Sequence, residues 1–191
     1  LDVDLMTISS QKIYGPKGAG ALYVRNLKDE NSKLEAIISG GGQEHGFRSG
    51  TENVPAIVGF AEAVKIASKM RAKESKRMGE LRDYFLRETK KAFPRVYTNG
   101  AFGKGATLPH IANIFFEGFV AEEILTRLDL AGFAVSAGSA CKSRSAEPSH
   151  VILALGYNEE RARGSIRVSF GRQTKKGDID KLVGEIKDLP S

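Results

Sequence analysis

The sequence is poor in cysteine, with Cys141 alone in 191 residues, so no disulfide can form within the chain. It also lacks any apolar run long enough to span a bilayer, and it shows no signal-peptide pattern. The three histidines, His45, His110 and His150, do not have the spacing of metal ligands, so no zinc site is predicted. These absences argue against a secreted protein held together by disulfides and against a membrane partner. The expected location is therefore the cytoplasm.

The composition is that of an ordinary soluble protein, with 41% hydrophobic and 27% charged residues. A net charge of +6 raises the question of nucleic acid binding. The densest cationic stretch, 65–95, is interleaved with glutamates, which is typical of a solvated helix face, so no nucleic acid partner is predicted. An acidic protein partner stays open. Because the chain starts at Leu1 within what reads as the approach to a strand, we expect a piece of a longer protein.

Apolar patterning predicts alternating strands and helices, and therefore an α/β or α+β class with a boundary inside or beside one long helix. The predicted strands are 5–8, 21–24, 111–116, 133–136 and 165–170. The predicted helices run from Pro55 to about Phe93 with a break near Gly79, over 120–130, over 148–155, and around Ile179–Ile186.

Cys141 lies in a loop of small residues, Ser-Ala-Gly-Ser-Ala-Cys-Lys-Ser-Arg (136–144), and the cations Lys142 and Arg144 follow it closely. Nearby positive charge favours the thiolate, so this setting suits a reactive thiol. A structural cysteine sits more often in an apolar run. These features alone leave a reactive and an incidental cysteine equally open.

Lys12 follows a predicted strand and has Ser9, Ser10 and Gln11 beside it. A lysine amine can form a Schiff base with an aldehyde, and hydroxyl and backbone N–H groups can bind phosphate. Those are the parts of a pyridoxal-phosphate site. For an isolated lysine, however, a surface position in a turn is the more common explanation.

Two further residues have both a functional and a structural interpretation. Arg167 lies on the polar face of an alternating strand, where its planar fork suits a carboxylate ligand or, more commonly, a partly buried ion pair. Thr51 ends the segment Arg-Ser-Gly-Thr (48–51), which also fits a helix-entry turn with Thr51 as the cap of the helix that follows.

Five motifs occur in one order along the chain, and together they strengthen the functional interpretation. They are Ser-Ser-Gln-Lys-Ile-Tyr-Gly-Pro-Lys-Gly (9–18), Gly-Gly-Gly-Gln-Glu (40–44), Arg-Ser-Gly-Thr (48–51), Gly-Ser-Ala-Cys (138–141) and Ser-Ile-Arg-Val-Ser-Phe-Gly-Arg (165–172). This set strongly resembles the cysteine desulfurases of the NifS/IscS type, members of the class V aminotransferase group of pyridoxal-phosphate enzymes. The resemblance extends from the first residues to about Leu189.

The resemblance implies an α/β fold of the aspartate aminotransferase type, of which this chain is the C-terminal half. Residues 1–65 would be the end of the large cofactor-binding domain, whose upstream part is absent from this sequence. Residues 66–191 would be the small α+β domain that carries the cysteine loop.

The resemblance also assigns roles to individual residues. Lys12 would bind pyridoxal 5′-phosphate covalently, and Ser9 would bind its phosphate. Gln11 stands where the family usually has histidine; glutamine can still donate to the phosphate but cannot titrate. Thr51 would reach the cofactor phosphate of the neighbouring subunit, which implies a homodimer. Arg167 would bind the carboxylate of the substrate L-cysteine.

The implied reaction converts L-cysteine to L-alanine and leaves a persulfide on Cys141. The persulfide sulfur would pass to an iron–sulfur scaffold or another acceptor protein, and Cys141 could then act as a transient iron–sulfur ligand shared with that scaffold. The long segment between Cys141 and Pro148 favours the family's mobile-loop type. Two alternatives stay open: a non-catalytic fragment that binds a scaffold or partner subunit, and a related class V transaminase or lyase in which Cys141 is incidental.

Overall fold

The structure is a computed structural model that describes residues 2–25, 34–100, 107–138 and 148–189. Strands and helices alternate along these residues, which confirms the α/β class. They form two compact units, Leu1–Arg71 and Ala72–Ser191, and the division between them falls inside the longest helix. The assignment of 1–65 and 66–191 to two domains of an aminotransferase fold stays a prediction. Cys141 lies outside the described residues.

In the first unit, strands β1 (Leu5–Ser9) and β2 (Gly20–Val24) pair antiparallel, with Leu5 opposite Val24 and Ser9 opposite Gly20. Both predicted strands are therefore confirmed. The loop that joins them contains a single 3₁₀ turn, Ser10–Ile13. This hairpin brings the two ends of the Lys12 loop together.

Helix α1 spans Val54–Ala92 without interruption, so the expected break near Gly79 is wrong. A single glycine inside a helix costs only about 1 kcal/mol relative to alanine, which the rest of a long helix offsets. The helix begins after Asn53, whose side-chain oxygen accepts the Ala56 N–H at 3.3 Å. Asn53 therefore caps the helix, and the alternative that gave this role to Thr51 is wrong.

In the second unit, the described residues form one antiparallel sheet in the order β3-β4-β6-β5, accompanied by four further helices and the end of α1. The strands are β3 (Val96–Thr98), β4 (Ile111–Phe116), β5 (Ser136–Ala137) and β6 (Ser165–Ser169). The helices are α2 (Ala121–Leu130), α3 (His150–Ala154), α4 (Glu159–Arg163) and α5 (Lys176–Lys187).

Two of the expected elements are shorter than the sequence indicates. The strand expected at 133–136 is reduced to β5, because the Phe133 N–H donates to the Leu128 carbonyl at 2.8 Å and ties this segment to the end of α2. Helix α3 starts at His150 rather than at Pro148, since Ser149 has a non-helical backbone (φ −59°, ψ 111°). Strand β3 and helix α4 were not predicted from the sequence.

The hydrophobic core of the second unit lies on one face of the sheet. Its strand residues include Ala112, Ile114 and Phe116 of β4, Ile166 and Val168 of β6, and Val96 of β3. Helix residues cover them, among them Phe85, Ile124, Leu128, Ile179, Leu182 and Ile186. The alternation of β6 places Arg167 on the opposite face. None of the helices in the described residues combines the length and the hydrophobicity that a membrane span requires.

Candidate active site

The Lys12 turn is fixed at its base by backbone hydrogen bonds. The N–H groups of Tyr14 and Gly15 both donate to the Ser10 carbonyl, the latter at 3.0 Å, and the Ser10 N–H donates to the Ala19 carbonyl at 3.1 Å. Ser10 is completely buried, whereas Lys12 is exposed. The hairpin therefore holds the backbone of the turn, and Lys12 lies at its exposed surface.

The polar side chains around Lys12 are available to a ligand. Ser9 and Gln11 are exposed, and the Ser9 hydroxyl makes no capping hydrogen bond to the 3₁₀ turn. Within the described ranges, no hydrogen bond or ion pair engages the side chain of Ser9, Gln11 or Lys12. A primary amine flanked by a hydroxyl and an amide can bind an aldehyde that also carries a phosphate.

The glycine-rich loop before α1 folds back on itself. Its anchor is Ser49, which is 5% exposed; the Ser49 N–H donates to the Ile38 carbonyl at 3.2 Å, and the Ser49 hydroxyl accepts the Gly42 N–H at 3.4 Å. The Gln43 side-chain oxygen accepts the Gly50 N–H at 3.0 Å. Thr51, which follows directly, is exposed.

Ser49 and Gln43 are residues whose positions the sequence analysis did not anticipate. Gln43 was part of a quoted motif, but nothing in its spacing to Gly50 signalled that the two would bond. These hydrogen bonds hold the segment that leads directly to the exposed residue Thr51.

Arg167 lies in the middle of the second unit's sheet, paired with Asn113 of β4 on one side and Ser136 of β5 on the other. It is half-buried, and its Nε is fully enclosed without a hydrogen-bond partner. The Ser136 hydroxyl has the same property. The Asn113 side-chain oxygen accepts a hydrogen bond from Asn99 Nδ2 at 2.6 Å.

A polar network that the sequence analysis missed lies on the same face. Arg161 of α4 donates to Asn99 Oδ1 at 2.6 Å and to the Thr98 carbonyl at 2.7 Å, and its guanidinium lies 3.9 Å from the centre of the Tyr157 ring. Asn99 also donates to Ser165 Oγ at 2.8 Å. These bonds join β3, α4 and β6. They fix the polar side chains beside Arg167, namely Asn99, Asn113 and Ser165, which we call the polar row.

The predicted site residues fall in both units. Ser9, Gln11, Lys12 and Thr51 belong to the first unit, and Arg167 belongs to the second. Cys141 lies outside the described residues. Along the sequence it stands between β5 and α3. In the described part of the chain, no group of three or more His, Cys, Asp or Glu side chains could hold a metal ion.

Comparison with known proteins identifies the class of protein. The aminotransferase class-V family model matches residues 1–182, so the chain belongs to that family. Among curated relatives, cysteine desulfurase IscS of Dictyoglomus turgidum is 47% identical over 180 residues, covering 94% of this chain and 44% of the relative. The chain thus spans less than half the length of this relative.

Solved structures agree with the family. A NifS-like protein from Rickettsia africae matches with a TM-score of 0.81 and 32% identity, over 98% of this chain and 48% of that one. SspA in complex with cysteine matches with a TM-score of 0.56 and 34% identity, over 88% of this chain and 44% of that one. The expected resemblance is therefore confirmed, and with it the aminotransferase-type fold.

Proposed function

We propose that the full-length protein is a pyridoxal-phosphate-dependent cysteine desulfurase. The observation that carries the proposal is the Lys12 turn, in which the exposed residues Ser9, Gln11 and Lys12 stand close together in the chain above a base that backbone hydrogen bonds of Ser10 hold in place. Family membership and relatives named as cysteine desulfurases support it. The match of one solved relative in complex with cysteine supports L-cysteine as the substrate.

The residues of the first unit fit the cofactor. Lys12 would hold its aldehyde carbon through Nζ, while the Ser9 hydroxyl and the Gln11 amide would donate to its phosphate. Pyridoxal phosphate, when bound, supplies an electron sink for the bonds at the α-carbon of an amino acid. Lys12 Nζ would also hold and return the proton of that carbon, acting as the base.

Arg167 would orient the substrate through its carboxylate. A guanidinium can donate two parallel hydrogen bonds to the two carboxylate oxygens, and this fixes both the position and the plane of the amino acid. The enclosed, unpartnered Nε is consistent with a ligand that supplies the missing acceptor.

Cys141 would carry the sulfur. Its thiolate attacks the substrate sulfur, the carbon–sulfur bond of cysteine breaks, and a sulfur–sulfur bond forms on Cys141. The electron pair of the broken bond stays with the carbon, which takes up a proton and leaves as L-alanine. L-Cysteine and one thiol thus become L-alanine and one persulfide. Lys142 and Arg144 favour the thiolate that starts this step.

Two finer features belong to the same proposal. Thr51 would complete the site of a neighbouring subunit in a homodimer, using the exposed hydroxyl that follows the Ser49 anchor. The persulfide sulfur would pass to an iron–sulfur scaffold or another acceptor protein in the cytoplasm.

The test is product analysis with the full-length protein, including any sequence that precedes Leu1. With L-cysteine, pyridoxal phosphate and a thiol reductant, we expect L-alanine and sulfide in equal amounts. Amino transfer to a 2-oxo acid in place of desulfuration would favour the transaminase alternative. Absence of both products from a folded, cofactor-loaded protein would favour the non-catalytic alternative.

A further inference from the structure

Two enclosed polar atoms lie side by side on adjacent strands of the second unit. Ser136 of β5 is the register partner of Arg167 of β6, so their side chains project from the same face of the sheet. Directly paired residues of an antiparallel sheet have Cβ atoms about 4.5–5.5 Å apart. Ser136 Oγ and Arg167 Nε are both inaccessible to solvent and both lack a hydrogen-bond partner.

Leaving such atoms without a partner is unfavourable, and it is rare in native proteins. Arginine Nε can only donate a hydrogen bond and the serine hydroxyl can donate one too, so an acceptor bound in front of both strands would satisfy the two atoms at once. A carboxylate has two acceptor oxygens and can accept from a guanidinium and a hydroxyl at once. The surrounding polar row is already occupied, because Asn113 bonds with Asn99.

We propose that Ser136 is a second donor to the substrate carboxylate, with its hydroxyl bonding one carboxylate oxygen beside Arg167. This inference rests on the proposed function, since it takes the ligand of Arg167 to be the carboxylate of an amino acid. Ser136 thereby helps to select amino acids over amines that lack a carboxylate. It also adds a role for the residue that opens the Cys141 loop, Ser-Ala-Gly-Ser-Ala-Cys (136–141).

The test uses the full-length, cofactor-loaded protein and its Ser136→Ala variant. We expect KM for L-cysteine to rise about 10-fold with little change in kcat, since a hydrogen bond to a charged group is lost from substrate binding. Ser136→Thr, which keeps a hydroxyl, should recover most of the affinity. Ser169→Ala is the matched control, because Ser169 lies two residues from Arg167 on the same face of β6 and is exposed.

A binding measurement separates this inference from the proposed function. By calorimetry, Ser136→Ala should weaken binding of L-alanine about 10-fold and leave binding of cysteamine, which has no carboxylate, unchanged. If Arg167→Lys weakens L-alanine binding and Ser136→Ala does not, the inference is overturned while the proposed function stands. If the wild type produces no alanine from cysteine, the proposed function fails, and the calorimetric comparison still decides whether Ser136 binds the carboxylate. Equal weakening of cysteamine binding by Ser136→Ala would contradict the inference.

Discussion

Gly15 lies so close to Ser10 that a Cβ atom placed on it would be 2.1 Å from Ser10 Oγ. The same Cβ would lie 3.1 Å from Ala63 Cβ of α1, so there is no space for it on either side. Ser10 is the residue whose backbone closes the Lys12 turn. The geometry of the candidate active site therefore depends on a position where any side chain would force its packed neighbours to move.

Replacing this glycine should disturb the turn and the fold of the first unit. For Gly15→Ala we expect a loss of about 1–3 kcal/mol in the free energy of unfolding, because an added methyl group must displace packed neighbours. Denaturant unfolding measures this loss. Adding Ser10→Gly should recover part of it by removing the nearest atom. Gly184→Ala in α5 is the control, because the site is open and alanine favours a helix; it should not destabilise. An unchanged unfolding midpoint for Gly15→Ala would contradict the tight contact.

Lys12 is expected to be the residue that binds the cofactor covalently. Mixing the full-length protein with pyridoxal phosphate should produce an absorbance band near the visible edge, and Lys12→Ala should abolish it. Lys17→Ala is the matched control, since Lys17 is an exposed lysine of the same loop and should leave the band intact. A band that persists in Lys12→Ala would remove Lys12 from its proposed role.

Thr51 should act on the site of the partner subunit. Lys12→Ala and Thr51→Ala variants, each impaired alone, should regain activity when co-expressed, because one site of the mixed dimer then receives an intact Lys12 and an intact Thr51. The double variant co-expressed with wild type should gain no such complemented site. If mixing the single variants restores no activity although mixed dimers form, Thr51 does not act across the interface.

The ion pair of Glu74 with Arg77 should make the stability of the fold fall as the pH is lowered. Arg77 bonds to Glu74 at 2.8 Å and also to the carbonyls of Thr174 and Gly171, which ties α1 to the loop before α5. The hydrogen bond from Arg77 lowers the pKa of the Glu74 carboxyl below its ordinary value, with nearby positive charges adding to the effect and burial partly opposing it. Because the folded-state pKa is lowered, the carboxylate stabilises the fold above the ordinary carboxyl pKa, and this stabilisation is lost as pH falls through the lowered one.

The measurement is the difference in unfolding free energy between wild type and Glu74→Gln as a function of pH. This difference in unfolding free energy should be largest near neutral pH. It should disappear in acid, because the protonated wild-type carboxyl is then uncharged, as the glutamine of the variant is at every pH. Glu62→Gln, at an exposed position of the same helix that pairs with Lys65, should show a smaller difference throughout. A difference between wild type and Glu74→Gln that does not change with pH would show that the ion pair is not its cause.

Strong local patterns made most of the fold predictable. The strand 111–116 agrees with β4 residue for residue, and the long helix from Pro55 ends as expected just before Pro94. Elements whose extent depends on tertiary contacts were less predictable. β3 has only three residues and α4 only five, so neither leaves a clear period in the sequence. The apolar run 133–136 read as a strand, although most of it connects α2 to the sheet.

The candidate site shows the same limit. Lys12, Thr51 and Arg167 could be assigned from the sequence because their motifs, taken together and in order, resemble those of a known family. Nothing local indicated that Ser136 would lie opposite Arg167, because that pairing joins residues 31 positions apart through the register of β5 and β6. A local sequence pattern can indicate which residues suit a given chemistry. Which of those residues lie next to one another depends on the pairing of strands in the sheet.

The central claim is that Cys141 carries the sulfur of L-cysteine as a persulfide. The most direct measurement is the intact and peptide mass of the full-length, cofactor-loaded protein after reaction with L-cysteine in the absence of reductant. The account predicts one added sulfur atom on the peptide that contains Cys141, formed together with L-alanine, and loss of both in Cys141→Ser. Undiminished L-alanine production by Cys141→Ser, or a wild-type protein that forms L-alanine without sulfur on Cys141, would contradict it.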